Sequence, residues 1–174
     1  MIKIYGYRKD KIRKCIELLH EDYNNMKLDI IIFESKTLQI LWCLISLLFG
    51  IFLIVGKKYY HFYDDDKDVF GFYCDKVKTI VIYAYMFDSS SRDVEVVNTL
   101  YHELRHAYQY NYKLQKYEDE FEDYNDLDSD VYSHQRCERD ANMFSARMCN
   151  KFHKEISDIF WVNYHWHCDF NLGV

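Results

Sequence analysis

Hydrophobic positions near the start of the chain recur at helical intervals and then give way to a strand-like run. Within Lys9–Tyr23, basic residues separate apolar side chains that recur at roughly helical spacing. The apolar residues are Ile12, Cys15, Ile16, Leu18 and Leu19. This pattern predicts an amphipathic helix. The β-branched segment Leu28–Phe33 that follows predicts a short buried strand.

An uncharged apolar run, Leu38–Val55, comes next and reads LQILWCLISLLFGIFLIV. Its 18 residues reach the length of a helix that crosses the ~30 Å core of a bilayer. Trp42 on one side and the Lys57–Lys58 pair on the other resemble interfacial anchors. We therefore expect a transmembrane helix over residues 37–56 and a single-pass membrane protein, with the orientation undecided and a cytoplasmic catalytic domain as one option. The alternative is a buried apolar insertion, a helix and a strand separated at Gly50.

The pattern after the apolar run predicts a hairpin followed by two helices. Phe70–Cys74 and Lys78–Tyr85 are typical of strands, and only three residues join them. A helix is expected to begin at the serines before Arg92, with Ser90 as the N-cap and Asp93 at the N3 position. A last helix is expected from about His134, with three apolar residues on one face: Phe144, Met148 and Phe152.

Composition limits the function more than it limits the fold. The chain has 174 residues and no proline, enough for one domain. A net charge of −6 argues against a nucleic-acid-binding protein. The six cysteines show no C-x-x-C spacing, so we expect reduced thiols in a cytosol-facing protein rather than a disulfide framework or a zinc ribbon. The expected organisation is an N-terminal helix and strand over 1–36, the membrane segment over 37–56, and a catalytic domain over 57–174.

The chemistry is concentrated in residues 99–109, which read TLYHELRHAYQ. His102 and His106 are four residues apart, so on a helix they stand about 40° apart and can bind one metal ion. Glu103 lies at the edge of that face, where it can reach a water beside the metal. This H-E-x-x-H arrangement is that of zinc peptidases, in which the glutamate takes the proton of the attacking water.

A third protein ligand is expected from the last helix, and Glu138 is the best candidate. Ala141 lies on the same helical stripe and would allow close approach, and Asn142 could accept a hydrogen bond from a ligating histidine. The rivals are Asp140 and the acidic residues of Glu118–Asp130. Asp140 lies about 200° round the helix from Glu138 and is expected to point away from the motif helix. The acidic segment is expected to be a solvated loop beside the cleft.

These segments carry a family resemblance. The hairpin GFYCDKVKTIVI, the segment T-L-x-H-E-L-x-H-A and the segment E-x-D-A-N-x-F-S-A together resemble the ImmA/IrrE-type metallopeptidases, which are small gluzincins. The resemblance covers roughly residues 70–152, about half of the chain. It implies a minimal zincin-like α+β fold in which a β-hairpin or sheet packs on the H-E-x-x-H helix. It also implies zinc bound by His102, His106 and Glu138, with Glu103 as the general base.

The chain departs from the family pattern at three places. Arg105 stands where many relatives have glycine, Asp140 replaces a usual glutamate, and the Leu38–Val55 run is not a family feature. If that run crosses a bilayer, the Leu28–Phe33 strand cannot join the catalytic sheet. If it does not, the run is an insertion that packs on the domain. The Lys78–Tyr85 strand is expected to form the sheet edge that pairs with an extended substrate.

Other residues with suitable chemistry give weaker signals. The cluster His165–Cys168 has metal-binding residue types but too few ligands for a site of its own. The acids at 126, 128 and 130 resemble the start of a calcium loop, but position six is Val131 and position twelve is Cys137, which excludes an EF-hand. The donor that stabilises the oxyanion is left open among four residues: Tyr108, Tyr110, His134 and His165.

The sequence therefore predicts a zinc metallopeptidase that acts on a protein or peptide substrate, in association with a membrane and without nucleic acid. Two alternatives remain: a non-catalytic, zinc-stabilised, membrane-bound interaction module, and a dedicated repressor-cleaving regulatory factor of a mobile element. Glu103 argues against the non-catalytic module, because metal binding alone does not require a glutamate at that position.

Overall fold

A mixed four-stranded sheet forms the centre of the computed structural model, which describes residues 1–48, 69–112 and 135–162. The strands lie in the order β1-β2-β4-β3, with β1, β2 and β4 parallel and β3 antiparallel to β4. Their bounds are Lys3–Gly6 (β1), Asp29–Phe33 (β2), Gly71–Cys74 (β3) and Thr79–Tyr83 (β4). The fold of the described residues is α+β, as expected.

Six α-helices of the described residues pack around this sheet. They are Lys9–Glu17 (α1), Glu21–Asn24 (α2), Lys36–Leu48 (α3), Arg92–Tyr112 (α4), Arg136–Lys151 (α5) and His153–Phe160 (α6), and a 3₁₀ turn spans Ala84–Met86. The single helix expected over Lys9–Tyr23 is divided into α1 and α2. His20 separates them with an extended backbone (ψ 151°), and its ring accepts a hydrogen bond from the backbone N–H of Asp22.

The expected hairpin is present as β3 and β4, but its place in the sheet differs from the expectation. β4 pairs with β2 on one side and with β3 on the other, so it is an inner strand and all five of its residues are buried. The prediction that Lys78–Tyr85 forms the sheet edge is wrong, and β3 is the edge strand on that side of the described sheet. Gly71 allows β3 to lie against α4, because a Cβ there would be 2.8 Å from Thr99 Cγ2.

Buried side chains form one core cluster on each face of the sheet. The larger cluster contains residues of α1, α4, α5 and α6 together with one side of each inner strand, such as Ile30 of β2 and Ile80 of β4. The smaller cluster contains the alternate residues of the same strands, including Phe33 and Val81, with Cys43 of α3 packed against it. The period of two along a strand places successive side chains on opposite faces, so the sheet is covered on both sides.

The apolar run expected to cross a membrane begins instead as α3, directly after β2. Gln39 in its first turns is only 4% exposed and accepts a hydrogen bond from the Tyr85 hydroxyl, which ties the helix to the sheet. Its 13 described residues are about 20 Å long, against the ~30 Å of a bilayer core. Within residues 1–48, 69–112 and 135–162, no helix combines the length and hydrophobicity that a membrane span requires.

The expectation of a transmembrane helix is therefore wrong, and so is the single-pass localisation drawn from it. The physical reason is that the count of uncharged residues does not separate a lipid-facing helix from one that docks on a sheet. The strand Leu28–Phe33, which could join the sheet only if the run did not cross a bilayer, is β2 and pairs with β4. The end of the run, residues 49–55, lies outside the described residues.

Candidate metal centre

Helix α4 presents the H-E-x-x-H motif to helix α5 and to the edge strand β3. Its 21 residues include a fully buried side made of Leu100, Tyr101 and Leu104, which holds the helix on the sheet. The helix begins at Arg92, and the N–H groups of Val94 and Glu95 in its first turn donate to the Ser91 carbonyl. The expected cap, Ser90, instead donates its hydroxyl proton to Asp88. Burial of one side of α4 therefore determines where its histidines point.

Three ligand atoms converge between α4 and α5. His102 Nε2 lies 3.3 Å from Glu138 Oε2, and His106 Nε2 lies 3.2 Å from Glu138 Oε1. The two Nε2 atoms lie 2.9 Å from each other, and the three ligand atoms all fall within 4.8 Å. The structure therefore brings together the three residues that the sequence analysis selected as metal ligands.

The spacing of these atoms fits a tetrahedral zinc site. Ligand atoms about 2.05 Å from a tetrahedral ion are about 3.3 Å apart. Each histidine-to-carboxylate separation is close to this value, although the two run to different oxygens of Glu138. The histidine-to-histidine separation of 2.9 Å is a few tenths of an ångström shorter. Two imidazoles and one carboxylate also form the donor set of catalytic zinc sites that keep one position for water or substrate.

Glu103 lies beside the three ligand atoms without being one of them. Its carboxylate is 4.0 Å from His102 Nε2, is 7% exposed, and accepts a hydrogen bond from the backbone N–H of Tyr73 in β3. Tyr83 N–H donates to the Phe70 carbonyl, so in this antiparallel ladder the peptide groups of Gly71 and Tyr73 face the free edge. The edge strand therefore orients the carboxylate expected to act as the base.

Burial and mutual attraction shift the ionisation of the site residues in different directions. Burial raises the pKa of Glu103, and the two histidines offset only part of this effect. Burial alone would lower the pKa of His106, but the Glu138 carboxylate outweighs it and raises the pKa to about 9. Burial would likewise raise the pKa of Glu138, but His106 and His102 hold it far below its usual range. Without a metal ion, these directions favour an ion pair between a protonated His106 and an ionised Glu138.

A hydrogen-bonded group behind His106 was not predicted from the sequence. Gln109 Oε1 lies 3.0 Å from His106 Nδ1, so Gln109 is the partner of this histidine. The sequence had instead offered Asn142 as the partner of a ligating histidine. Gln109 also donates to the Asp140 carboxylate, which forms a bidentate pair with Arg105. The sequence held only two signals of this group. Gln109 is one turn beyond the second histidine, and Arg105 and Asp140 have opposite charges.

Asp140 therefore contacts the motif helix, contrary to the expectation that it points away from it. Glu138 and Asp140 diverge around α5, but Arg105 and Gln109 on α4 are long enough to reach Asp140 on the flank of the interface. The two departures from the family pattern, Arg105 and Asp140, are partners of each other. Ala141 is fully buried between these helices, as expected for a close approach.

The remaining site candidates are divided between described and undescribed residues. Tyr108 stacks on Tyr23, with ring centroids 5.1 Å apart, on the side of α4 that carries Arg105. Tyr110 instead lies against Tyr73 of β3, with centroids 5.7 Å apart, on the side where Glu103 is held. The other candidates lie outside the described residues: Glu118–Asp130, His134 and the His165–Cys168 cluster.

Comparisons with protein-family models, with curated proteins and with solved structures found no match. The resemblance to the ImmA/IrrE-type metallopeptidases is therefore still a prediction based on the motifs of the sequence.

Proposed function

We propose that this protein is a zinc-dependent metallopeptidase of the minimal gluzincin type, similar to the ImmA/IrrE-type enzymes. The observation that carries the proposal is the convergence of His102, His106 and Glu138 beside a fourth buried group, the Glu103 carboxylate. The three ligand atoms account for metal binding. The fourth group has the position and chemistry of a general base.

The four residues would divide the reaction between them. A zinc ion held by the three ligands would polarise the scissile carbonyl and make a water molecule more acidic. Glu103 would accept the proton of the attacking water and then deliver it to the leaving amine. The Tyr73 N–H would hold the Glu103 carboxylate in place for both transfers. Burial raises the pKa of Glu103, which makes its carboxylate a stronger base than an exposed one.

The substrate in this proposal is a peptide segment in extended conformation. β3 is the edge strand nearest the metal centre. The peptide group of Gly71 and the carbonyl of Tyr73 face away from β4, whereas the Tyr73 N–H is already held by Glu103. An extended peptide that pairs with this edge would place a backbone carbonyl next to the α4 motif. β3 therefore takes the role that the sequence analysis gave to the Lys78–Tyr85 strand.

The burial of Glu103 favours catalysis over a purely structural metal site. A carboxylate that is 7% exposed and is not a ligand costs free energy to bury, and a structural zinc site does not need it. Structural zinc sites also use four protein ligands, whereas only three converge here among the described residues.

The test uses the full-length chain, loaded with zinc, and a peptide library made by digesting a whole proteome. New peptide termini are counted by mass spectrometry for the wild-type protein, for Glu103→Gln, and for Glu95→Gln as a control on the same helix. We expect Glu103→Gln to bind zinc normally and to lose at least about 10²-fold in turnover, because glutamine cannot take the proton. Glu95→Gln should cleave like the wild type. A fully zinc-loaded wild-type protein with no more cleavage than Glu103→Gln would contradict the proposal.

A further inference from the structure

The side-chain amide of Gln109 is completely buried behind His106, on the side of the ring away from the proposed metal. Its nitrogen lies 3.0 Å from the carbonyl oxygen of Cys137 and 2.9 Å from a carboxylate oxygen of Asp140. Its oxygen lies 3.0 Å from His106 Nδ1. One amide therefore contacts both helices of the centre and one of its ligands.

These neighbours determine which way the amide faces. The Cys137 carbonyl can only accept a hydrogen bond, and both oxygens of the Asp140 carboxylate already accept from Arg105, at 2.7 Å and 3.1 Å. If the amide were reversed, its oxygen would face two acceptors with no proton between them. The NH₂ group must therefore face Cys137 and Asp140, and the oxygen must face His106.

The orientation of the amide in turn determines the tautomer of His106. An amide oxygen only accepts, so His106 Nδ1 must carry a proton to donate to it. In the neutral ring the lone pair is then on Nε2, the atom that faces Glu138 at 3.2 Å. This is the state in which an imidazole binds a metal ion through Nε2.

We propose that Gln109 is a positioning residue that holds His106 as the Nδ1–H tautomer, with Asp140 and Cys137 anchoring its amide. This inference rests on the proposed zinc site and adds to it the group that prepares one ligand. Hydrogen-bond partners behind ligating histidines typically contribute 10- to 100-fold to metal affinity, so the expected effect of removing the amide is about that size. Arg105 acts one step further out, because it holds the Asp140 carboxylate.

The chain offers a matched control. Gln39 is the other buried glutamine in the described part of the chain, at 4% exposure, and it accepts a hydrogen bond from Tyr85 on the opposite face of the sheet. Gln39→Met and Gln109→Met each replace a buried amide by an apolar side chain of similar length. Only Gln109→Met removes a partner of His106, so a loss of fold stability alone would appear in both variants.

The experiment measures the zinc dissociation constant of each full-length variant by competition with a chromophoric chelator. We expect Gln109→Met to weaken zinc binding about 10- to 100-fold and Gln39→Met to change it less than about threefold. Asp140→Leu should weaken binding, and it provides the test if Gln109→Met does not fold. Equal affinities for Gln109→Met and Gln39→Met, or an Asp140→Leu affinity equal to that of the wild type, would overturn the inference.

A spectroscopic measurement tests the tautomer directly. In the zinc-loaded wild-type protein, ¹⁵N-edited NMR should show a slowly exchanging proton on Nδ1 of His106, and this signal should be lost in Gln109→Met. A proton on Nε2 instead would overturn the inference while leaving the proposed peptidase intact. A wild-type chain that binds no zinc would overturn both, and zinc binding without peptide cleavage would contradict only the proposed function.

Discussion

Two acidic residues on α5, Glu138 and Asp140, have different surroundings although only one residue separates them. The Glu138 side chain is 8% exposed and lies within 3.3 Å of both motif histidines. The Asp140 side chain is 30% exposed and pairs with Arg105. At the scale of single residues, the difference in neighbours makes one acid a candidate ligand and the other a support for it.

Glu138→Ala should therefore abolish stoichiometric zinc binding. Two histidines remain in this variant, and they form an incomplete donor set for a protein zinc site. Glu155→Ala, which removes an exposed acid from α6, should keep one zinc per chain. The measurement is the zinc content of the dialysed proteins by atomic emission, and full occupancy of the Glu138 variant would show that the ligand is another residue.

Zinc affinity should rise with pH up to about 9, the pKa to which Glu138 raises His106 against the opposing effect of burial. Below that pH a proton occupies His106 Nε2 in the metal-free chain, and zinc must displace it. Each unit of pH decrease should then weaken zinc binding about tenfold. A competition titration at several pH values measures the slope, and an affinity that does not change from about pH 7 to about pH 9 would contradict this assignment of the proton.

At the scale of secondary-structure elements, the first strand ends at a residue whose backbone only glycine adopts easily. Gly6 has a φ of +91°, and a Cβ there would lie 2.0 Å from the carbonyl oxygen of Ile32 in β2. That carbonyl also accepts a hydrogen bond from the backbone N–H of Tyr7 at the turn into α1. The close contact between β1 and β2 therefore depends on the missing side chain.

Gly6→Ala should lower the free energy of unfolding by about 2 kcal/mol or more, because it combines an unfavourable backbone angle with a clash against main chain. Lys3→Ala, on an exposed position of the same strand, should change the free energy by less than about 0.5 kcal/mol. Urea unfolding of the zinc-free proteins compares the two. Equal losses in both variants would show that the strand tolerates a side chain at Gly6.

At the scale of the whole molecule, the proposed metal ion would join parts of the chain that are distant in sequence. Its ligands lie on α4 and α5, which the undescribed residues 113–134 separate along the chain. A ligand that binds only the folded state stabilises it in proportion to the logarithm of its concentration. Zinc should therefore stabilise the entire fold and not only the site.

At a free zinc concentration of about 100 times the dissociation constant, this stabilisation is about 2.7 kcal/mol. For a chain of this length the melting temperature should fall by roughly 5 to 10 °C when zinc is removed with a chelator. The same treatment of Glu138→Ala should leave its melting temperature unchanged, because that variant has no site to empty. Differential scanning calorimetry measures both, and an equal shift in the two proteins would place the effect outside this centre.

Much of the fold and of the centre could be predicted from local patterns. The four-residue spacing of His102 and His106 places them on one side of any helix, and the alternation on either side of Asp75–Val77 predicts the hairpin. The choice of Glu138 also followed from helical periodicity. β1 was missed because a strand of four with one buried residue, Ile4, gives almost no pattern, even with buried Ile2 just before it.

Other features depend on contacts between residues that are far apart in sequence. Hydropathy could not show that Gln39 and Cys43 dock α3 on the sheet, because it records the polarity of each residue and not its neighbours. Helical angles placed Asp140 opposite Glu138, but the length of the Arg105 side chain decides what Asp140 contacts.

The sequence by itself therefore determined which residues share a helix face and carry the chemistry, since helix and strand periods are local properties of the chain. Only the tertiary structure decided three further points: the position of β4 inside the sheet, the docking of α3, and the placement of Gln109 behind His106. Each of these depends on how separate elements pack together. Packing is set by the shape and hydrogen bonding of whole surfaces, which no single segment contains.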